Sequence, residues 1–213
     1  MSRNISRFFN FILLGIFLVS ENFASSPQPH PSFMGELPKD SYELIWGSES
    51  APVTVVEYTS LSCGHCADFH KNVLPEIRKK YIDTGRVRFV FRHFPIDRLS
   101  LKISTLVNDL PYLKRSYAID QIFDQQDGWI DAGDKAFEKI AVICQIPLDK
   151  YQQIINDKEK LDAAAQSRFN IEKCVSIEGT PTFFINDKMY PTALSLAQFE
   201  QIVLPKLQTL SKP

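Results

Sequence analysis

Two cysteines three positions apart, Cys63 and Cys66, stand between an apolar strand pattern and a helical one. The strand pattern is Val53-Thr54-Val55-Val56-Glu57-Tyr58; from Gly64 onward Phe69, Val73, Leu74, Ile77 and Tyr81 recur at helical spacing. A strand feeding a Cys-x-x-Cys that opens a helix puts the first thiol among unpaired backbone N–H groups at the helix's positive end. Thiolate is stabilised there and becomes a nucleophile or a good leaving group. The same spacing is also half of a zinc site, which needs four ligands. No second Cys-x-x-Cys exists among the four cysteines, and His30, His70 and His93 are scattered, so no metal is expected. Two further features favour redox chemistry: Gly179-Thr180-Pro181-Thr182-Phe183-Phe184-Ile185, a late apolar run opened by a proline, and Glu57, an ionisable residue inside an apolar run.

The chain has 213 residues, enough for one large domain or a domain with a substantial insertion. Lysine and arginine number 24 against 25 aspartate and glutamate, so there is no basic footprint for nucleic acid. Residues 1–25 read as a signal peptide. Arg3 and Arg7 precede an apolar run from Phe8 to Val19, and Ala24-Ser25-Ser26 suits a signal peptidase. That run falls short of the ~20 residues a spanning helix needs, although an uncleaved anchor is the alternative reading. An exported chain works where disulfides form and persist, and a periplasmic location is expected.

Pro27, Pro29, Pro31 and Pro38 mark residues 26–41 as a linker. Strands are expected at 42–46, 53–59 and 86–92, then at 182–185 and 188–190. In the third strand Arg86, Arg88 and Arg92 fall on one face and Val87, Phe89 and Phe91 on the other. A helix is expected over 64–82, kinked at Pro75. Helices are also expected at 99–110, 113–123, 132–142, 148–155 and 158–169, with an amphipathic one over 194–210. The fold class is therefore α/β: a central mixed sheet flanked by helices, formed by residues 42–95 and 175–213, with an inserted all-helical domain at 96–174.

In residues and order, Ala51-Pro52-Val53-Thr54-Val55-Val56-Glu57-Tyr58, the Cys63-Gly64-His65-Cys66 motif, Phe91-Arg92-His93-Phe94-Pro95 and Gly179-Thr180-Pro181-Thr182-Phe183-Phe184 resemble the bacterial DsbA-like thiol:disulfide oxidoreductases of the thioredoxin superfamily. The likeness covers residues 42–210 and is nearest to the branch typified by Gram-positive BdbD and the short DsbA proteins of α-proteobacteria. It implies a thioredoxin-like core and a cis bond between Thr180 and Pro181 facing the sulfurs, with the Thr180 backbone pairing to substrate peptide. It also implies a dithiol that works without a dissociable cofactor and is recharged by a quinone-linked, DsbB-like membrane thiol oxidase. Three departures stand out. Gly64-His65 replaces the Pro-His of the best-studied DsbA. A threonine before the proline is shared with the isomerases DsbC and DsbG. Cys144 and Cys174 resemble the branch's second cysteine pair, with Cys174 nearer the proline.

Each residue carries an expected role beside a plainer one. Cys63, the more exposed cysteine, is the attacked sulfur, and Cys66 is the shielded resolving thiol. His65 is expected to donate to the Cys63 thiolate or pair with it, the alternative being a solvated loop histidine. If His65 and the helix end lower the Cys63 pKa by ~3 units, the reduced state gains roughly 2 kcal/mol at pH 7, or roughly 45 mV. Glu57 is expensive to bury. In the thioredoxin fold its position lies beneath the second cysteine, where a carboxylate can relay a proton; alternatively it reaches an edge and pairs with an arginine such as Arg88. Cys144 and Cys174 are expected to form a structural disulfide, worth roughly 3–4 kcal/mol for a loop of about 30 residues, or else are unrelated buried thiols.

These expectations converge on an exported, monomeric protein-disulfide oxidoreductase acting on reduced, unfolded exported proteins. A disulfide isomerase or reductase on the same fold is the nearest rival, though residues 26–41 are too short for an N-terminal dimerisation domain. A non-catalytic metal-binding or surface-interaction protein is the rival from another class.

Overall fold

Branched and aromatic residues build a five-stranded sheet. In the computed structural model, which describes residues 42–186 and 188–209, the strands are β1 (Leu44–Trp46), β2 (Val53–Thr59), β3 (Val87–His93), β4 (Thr182–Ile185) and β5 (Lys188–Tyr190). Their order is β1-β3-β2-β4-β5; β2 and β3 run parallel and every other pair is antiparallel. The signal peptide expected at 1–25 and the linker expected at 26–41 lie outside the described residues. Gly47, between β1 and β2, has φ +91°, and a Cβ there would come 2.3 Å from the Val87 carbonyl oxygen, so only glycine fits.

Both faces of the sheet are covered, as a parallel pair at its centre requires. One face carries Val53, Val55 and Glu57 of β2 beside Phe89 and Phe91 of β3 and Phe183 and Ile185 of β4. Against it lies the chain from α1 (Gly64–Asn72) through α2 (Leu74–Ile77) to a π-helical turn at Arg78–Ile82. The break at Val73 is the expected kink, because Pro75 has no N–H to continue the ladder. Phe69, Leu74, Ile77 and Tyr81 from this stretch share a core with β2, β3 and β4 and with Phe199 and Val203 of the last helix, Leu196–Thr209. Each fully buried side chain of this size contributes about 1.5–3 kcal/mol.

The insertion between β3 and β4 holds α3 (Arg98–Asn108), α4 (Tyr112–Asp124), α5 (Gln126–Trp129), α6 (Lys135–Ile143), α7 (Leu148–Asn156) and α8 (Lys158–Cys174); the last helix is thus α9. Asp97 and Ser100 form a reciprocal capping box that starts α3. Three boundaries depart from the sequence pattern. The single turn α5 was unexpected, α6 starts after a bend at Gly133 with φ +57°, and α8 continues to Cys174 rather than stopping near 169. Ile103, Leu106, Ile119, Ile122, Phe123, Trp129 and Ile140 form one buried cluster that also takes in Leu61, Cys63, Cys66 and Phe91. The insertion therefore packs directly on the segment that bears the two cysteines.

On the opposite face Ile171 of α8 and Ile177 pack on Val56, Tyr58, Val90 and Phe184. The arginine side of β3 is accordingly covered at its far end: Arg92 is buried, donating to Glu43 and, at 2.6 Å, to the Tyr58 hydroxyl, whereas Arg88 is half-buried.

Candidate active site

Cys63 is the N-cap of α1, with extended backbone (φ −84°, ψ 122°), and its sulfur accepts the Cys66 N–H at 3.4 Å. Its own S–H donates to the Thr180 carbonyl at 3.2 Å. Hydrogen bonding from the Cys66 side chain, then from the Thr180 side chain and the backbone N–H groups of Cys66 and His65, outweighs burial and lowers its pKa to about 5. Cys66, one turn into the helix and fully buried, goes the other way. Burial first, then the hydrogen bond it gives to Cys63, then the charge of Glu57 push its thiol far up. A nearly buried thiol that ionises readily is thus backed by a fully buried one that holds its proton.

Thr180 and Pro181 approach from the chain entering β4, and the bond between them is cis. Pro181 is buried where the chain enters β4. The loop before α1 is held from two sides. Ser62 donates to Asp97 at 2.8 Å, and Gln126 of α5 donates from Nε2 to the carbonyls of Leu61 (3.0 Å) and Cys63 (3.3 Å). Gln126 was invisible in the sequence because the short α5 that aims it carries no periodic signal.

Glu57 points inward, 0% exposed, and Arg88 is not its partner: pleating puts Arg88 on the other face of β3. The partner is His70, whose Nε2 lies 2.9 Å from Glu57 Oε2 with both side chains buried. His70 sits four residues after Cys66 on the same face of α1, a spacing that could have flagged it. Its ring lies over Phe123 of α4 at 4.2 Å and against the edge of Phe91. Two polar atoms of the pair, Glu57 Oε1 and His70 Nδ1, have no hydrogen-bond partner.

Two expectations need correction. The His65 side chain is exposed, and the contribution it makes to Cys63 is through its backbone N–H. Cys144 and Cys174 are not bonded. Cys144, at the C-terminal cap of α6, is buried in the insertion's cluster with Phe91, where burial raises its thiol to about 12. Cys174 is exposed at the end of α8, which covers the opposite face of the sheet, close enough to Tyr58 to influence its hydroxyl. The parity of the cysteine count suggested a bridge, but the sheet stands between them. Among the described residues no three His, Cys, Asp or Glu side chains gather as a metal site would require, and no helix is long and apolar enough to cross a membrane.

Comparison with known proteins gives a consistent picture. A family model described as thioredoxin matches residues 39–204. A Rickettsia prowazekii protein, provisionally named a protein-disulfide oxidoreductase, is 34% identical over 154 residues, which is 69% of this chain and 55% of that one. A Rickettsia felis protein of the same name is 31% identical over 153 residues, 69% of this chain and 54% of that one. The chain thus spans about half the length of the curated relatives it matches. The crystal structure of Wolbachia pipientis α-DsbA1 has a TM-score of 0.71 at 28% identity, covering 82% of this chain and 94% of that one. Oxidised BdbD from Bacillus subtilis, 20% identical with a TM-score of 0.67 over 78% of this chain and 94% of its own, shares the fold.

Proposed function

The chain belongs to the thioredoxin family, and we propose that it is a DsbA-type protein-disulfide oxidoreductase that passes the Cys63–Cys66 disulfide to reduced, exported proteins. The observation that carries this reading is the opposed state of the two thiols, Cys63 lowered to about 5 and Cys66 raised. A substrate thiolate attacks Cys63 of the oxidised site. The bond to Cys66 breaks, and Cys66 leaves with the electron pair and takes up a proton. A second substrate thiolate then attacks the substrate sulfur of the mixed disulfide. Cys63 departs as a thiolate that is already stable at neutral pH, so both enzyme sulfurs end reduced and the substrate ends bridged. Once Cys63 is in a disulfide its S–H is gone, and the Thr180 carbonyl is released to accept from an extended substrate backbone.

The chemistry is contained in the chain's own sulfurs, with no dissociable cofactor. The Arg3 and Arg7 segment with its apolar run supports export to the periplasm, where a DsbB-like membrane thiol oxidase would restore the disulfide. The oxidised protein, mixed with a reduced two-cysteine peptide, is expected to bridge the peptide at stoichiometric yield. Cys63→Ser and Cys66→Ser, neither of which can hold the Cys63–Cys66 disulfide, should each abolish this. Equal activity of wild type and Cys63→Ser would overturn the reading.

A further inference from the structure

A carboxylate with no exposed surface is costly, and a purely structural buried pair is tolerable when its remaining oxygen and ring nitrogen are hydrogen-bonded as well. The Glu57–His70 pair is not arranged as such a pair would be. It uses one oxygen and one nitrogen, at 2.9 Å, and leaves Glu57 Oε1 and His70 Nδ1 without partners in an apolar setting. The walls are Phe69 of α1, Phe91 of β3 and Phe123 of α4. The other titratable groups nearby are few. Cys66 is one turn earlier on the same helix, with Cys63 beyond it. His93 on β3 sits against the other side of Phe91, bonded to Ser104 and held neutral by burial, its pKa down to about 3. Lys71, the next residue of α1, faces outward to Asp127. Of these, Cys66 carries a proton at neutral pH and feels the Glu57 charge.

We propose that His70 is a positioning residue for the resolving thiol: by donating from Nε2–H to Glu57 Oε2, it fixes the carboxylate with Oε1 as the oxygen that exchanges a proton with Cys66. The inference rests on the dithiol-exchange reading above. In the resolving step the Cys66 proton passes to Glu57 Oε1. The Cys66 sulfur bonds to Cys63, the bond from Cys63 to the foreign sulfur breaks, and that sulfur leaves as a thiolate with the electron pair. When a substrate opens the Cys63–Cys66 bond, the same proton returns from Oε1 to Cys66. His70 keeps its own proton in both directions. Oε2 goes on accepting from Nε2–H whether the carboxyl is charged or neutral, so the pair gains and loses the Cys66 proton without rearranging.

The test loads Cys63 of wild type, His70→Leu and His70→Gln with glutathione and follows release of the glutathione by Cys66 as a function of pH. His70→Leu removes the donor, and release should slow by at least about tenfold at pH 7, within the range by which placed acid–base groups accelerate proton transfer. The pH profile of release should steepen toward that of an unassisted thiol. His70→Gln, which can still donate to Oε2, should recover most of the rate. Alkylation of Cys63 in the reduced protein, which does not involve this proton, reports whether each variant keeps a native site. If His70→Leu does not fold, His70→Asn, polar but too short to reach Oε2, takes its place and should slow release likewise. Release at the wild-type rate with an unchanged profile in the donor-less variant would overturn the role of His70 alone. Failure of the wild type to form or release a mixed disulfide at Cys63 would instead overturn the exchange reading.

Discussion

Replacing Cys66 with alanine isolates the largest influence on Cys63. Hydrogen bonding from the Cys66 side chain comes first among the causes that bring Cys63 from the ordinary thiol value of 9.0 to about 5, ahead of Thr180 and the N–H groups of the helix end. A hydrogen bond to a charged group is worth about 1.5–3 kcal/mol, which at about 1.4 kcal/mol per pH unit is roughly one to two units. Water entering the vacated space returns part of this. The midpoint for Cys63 ionisation should therefore rise from about 5 to between about 6 and 7, leaving the helix end and Thr180 responsible for the remainder. Iodoacetamide alkylation rates from pH 4 to 9 measure that midpoint, with thiolate absorbance at 240 nm as a second readout. A midpoint still at about 5 would refute the ranking and assign the whole effect to the backbone. The same numbers bear on redox poise. At pH 7 only the part of the shift below ambient pH counts for the reduced state, a ceiling of about 2.7 kcal/mol, and solvent screening at the lip of the site brings it to about 2. For a two-electron couple this is roughly 45 mV toward oxidising power.

Because the folded pKa of Cys63 lies below its unfolded value, the stabilisation it gives the reduced protein is complete above pH 9 and is lost as pH falls through about 5. Chemical denaturation of both redox forms should show the reduced protein's advantage shrinking by about 2 kcal/mol between pH 7 and pH 5; a constant gap would contradict it. Cys144→Ser places a hydroxyl in an apolar cluster and should cost about 1–3 kcal/mol, whereas Cys174→Ser, at an exposed helix end, should stay within about 0.5 kcal/mol. Equal losses, with a melting temperature sensitive to reductant in a Cys63→Ser background, would mean that the two are bridged. Gln126→Leu removes the donor shared by the Leu61 and Cys63 carbonyls and should lower stability by about 1–2 kcal/mol in urea unfolding. An unchanged midpoint would show that α5 does not brace the loop.

The sheet and its chemistry were legible where a local pattern carries a global consequence. Alternation in β3 declared which side of Phe89 and Phe91 faces inward, and Pro75 declared the break after Asn72. Cys63 and Cys66 were picked out by their spacing read together with Glu57 and the run opened by Thr180-Pro181. What stayed hidden depends on contacts between distant segments. Glu57 announced that something must satisfy it, but the choice between Arg88 and His70 is settled by the pleat of one strand and the rotation of one helix. Gln126 reaches the redox loop from 63 residues away on a turn with no periodicity. Cys144 and Cys174 illustrate the converse: an even count says that a pair is available, and only the layering of the fold says which side of the sheet each member occupies.

The interruption at Val73 and Pro75 lets one stretch of chain meet two unrelated demands. The electrostatic influence of a helix end fades within its first turn. The nine residues of α1 therefore already give Cys63 all the help a longer helix would, and nothing electrostatic is forfeited by bending the chain afterwards. The bend instead frees the stretch beyond it to follow the sheet, where the Tyr81 ring meets Phe199 and its hydroxyl donates to Glu200 at 3.0 Å. Reactivity at the near end and anchorage at the far end can thus be altered separately: substitutions from Leu74 to Ile82 should change how firmly the site is held without retuning the sulfur that it presents.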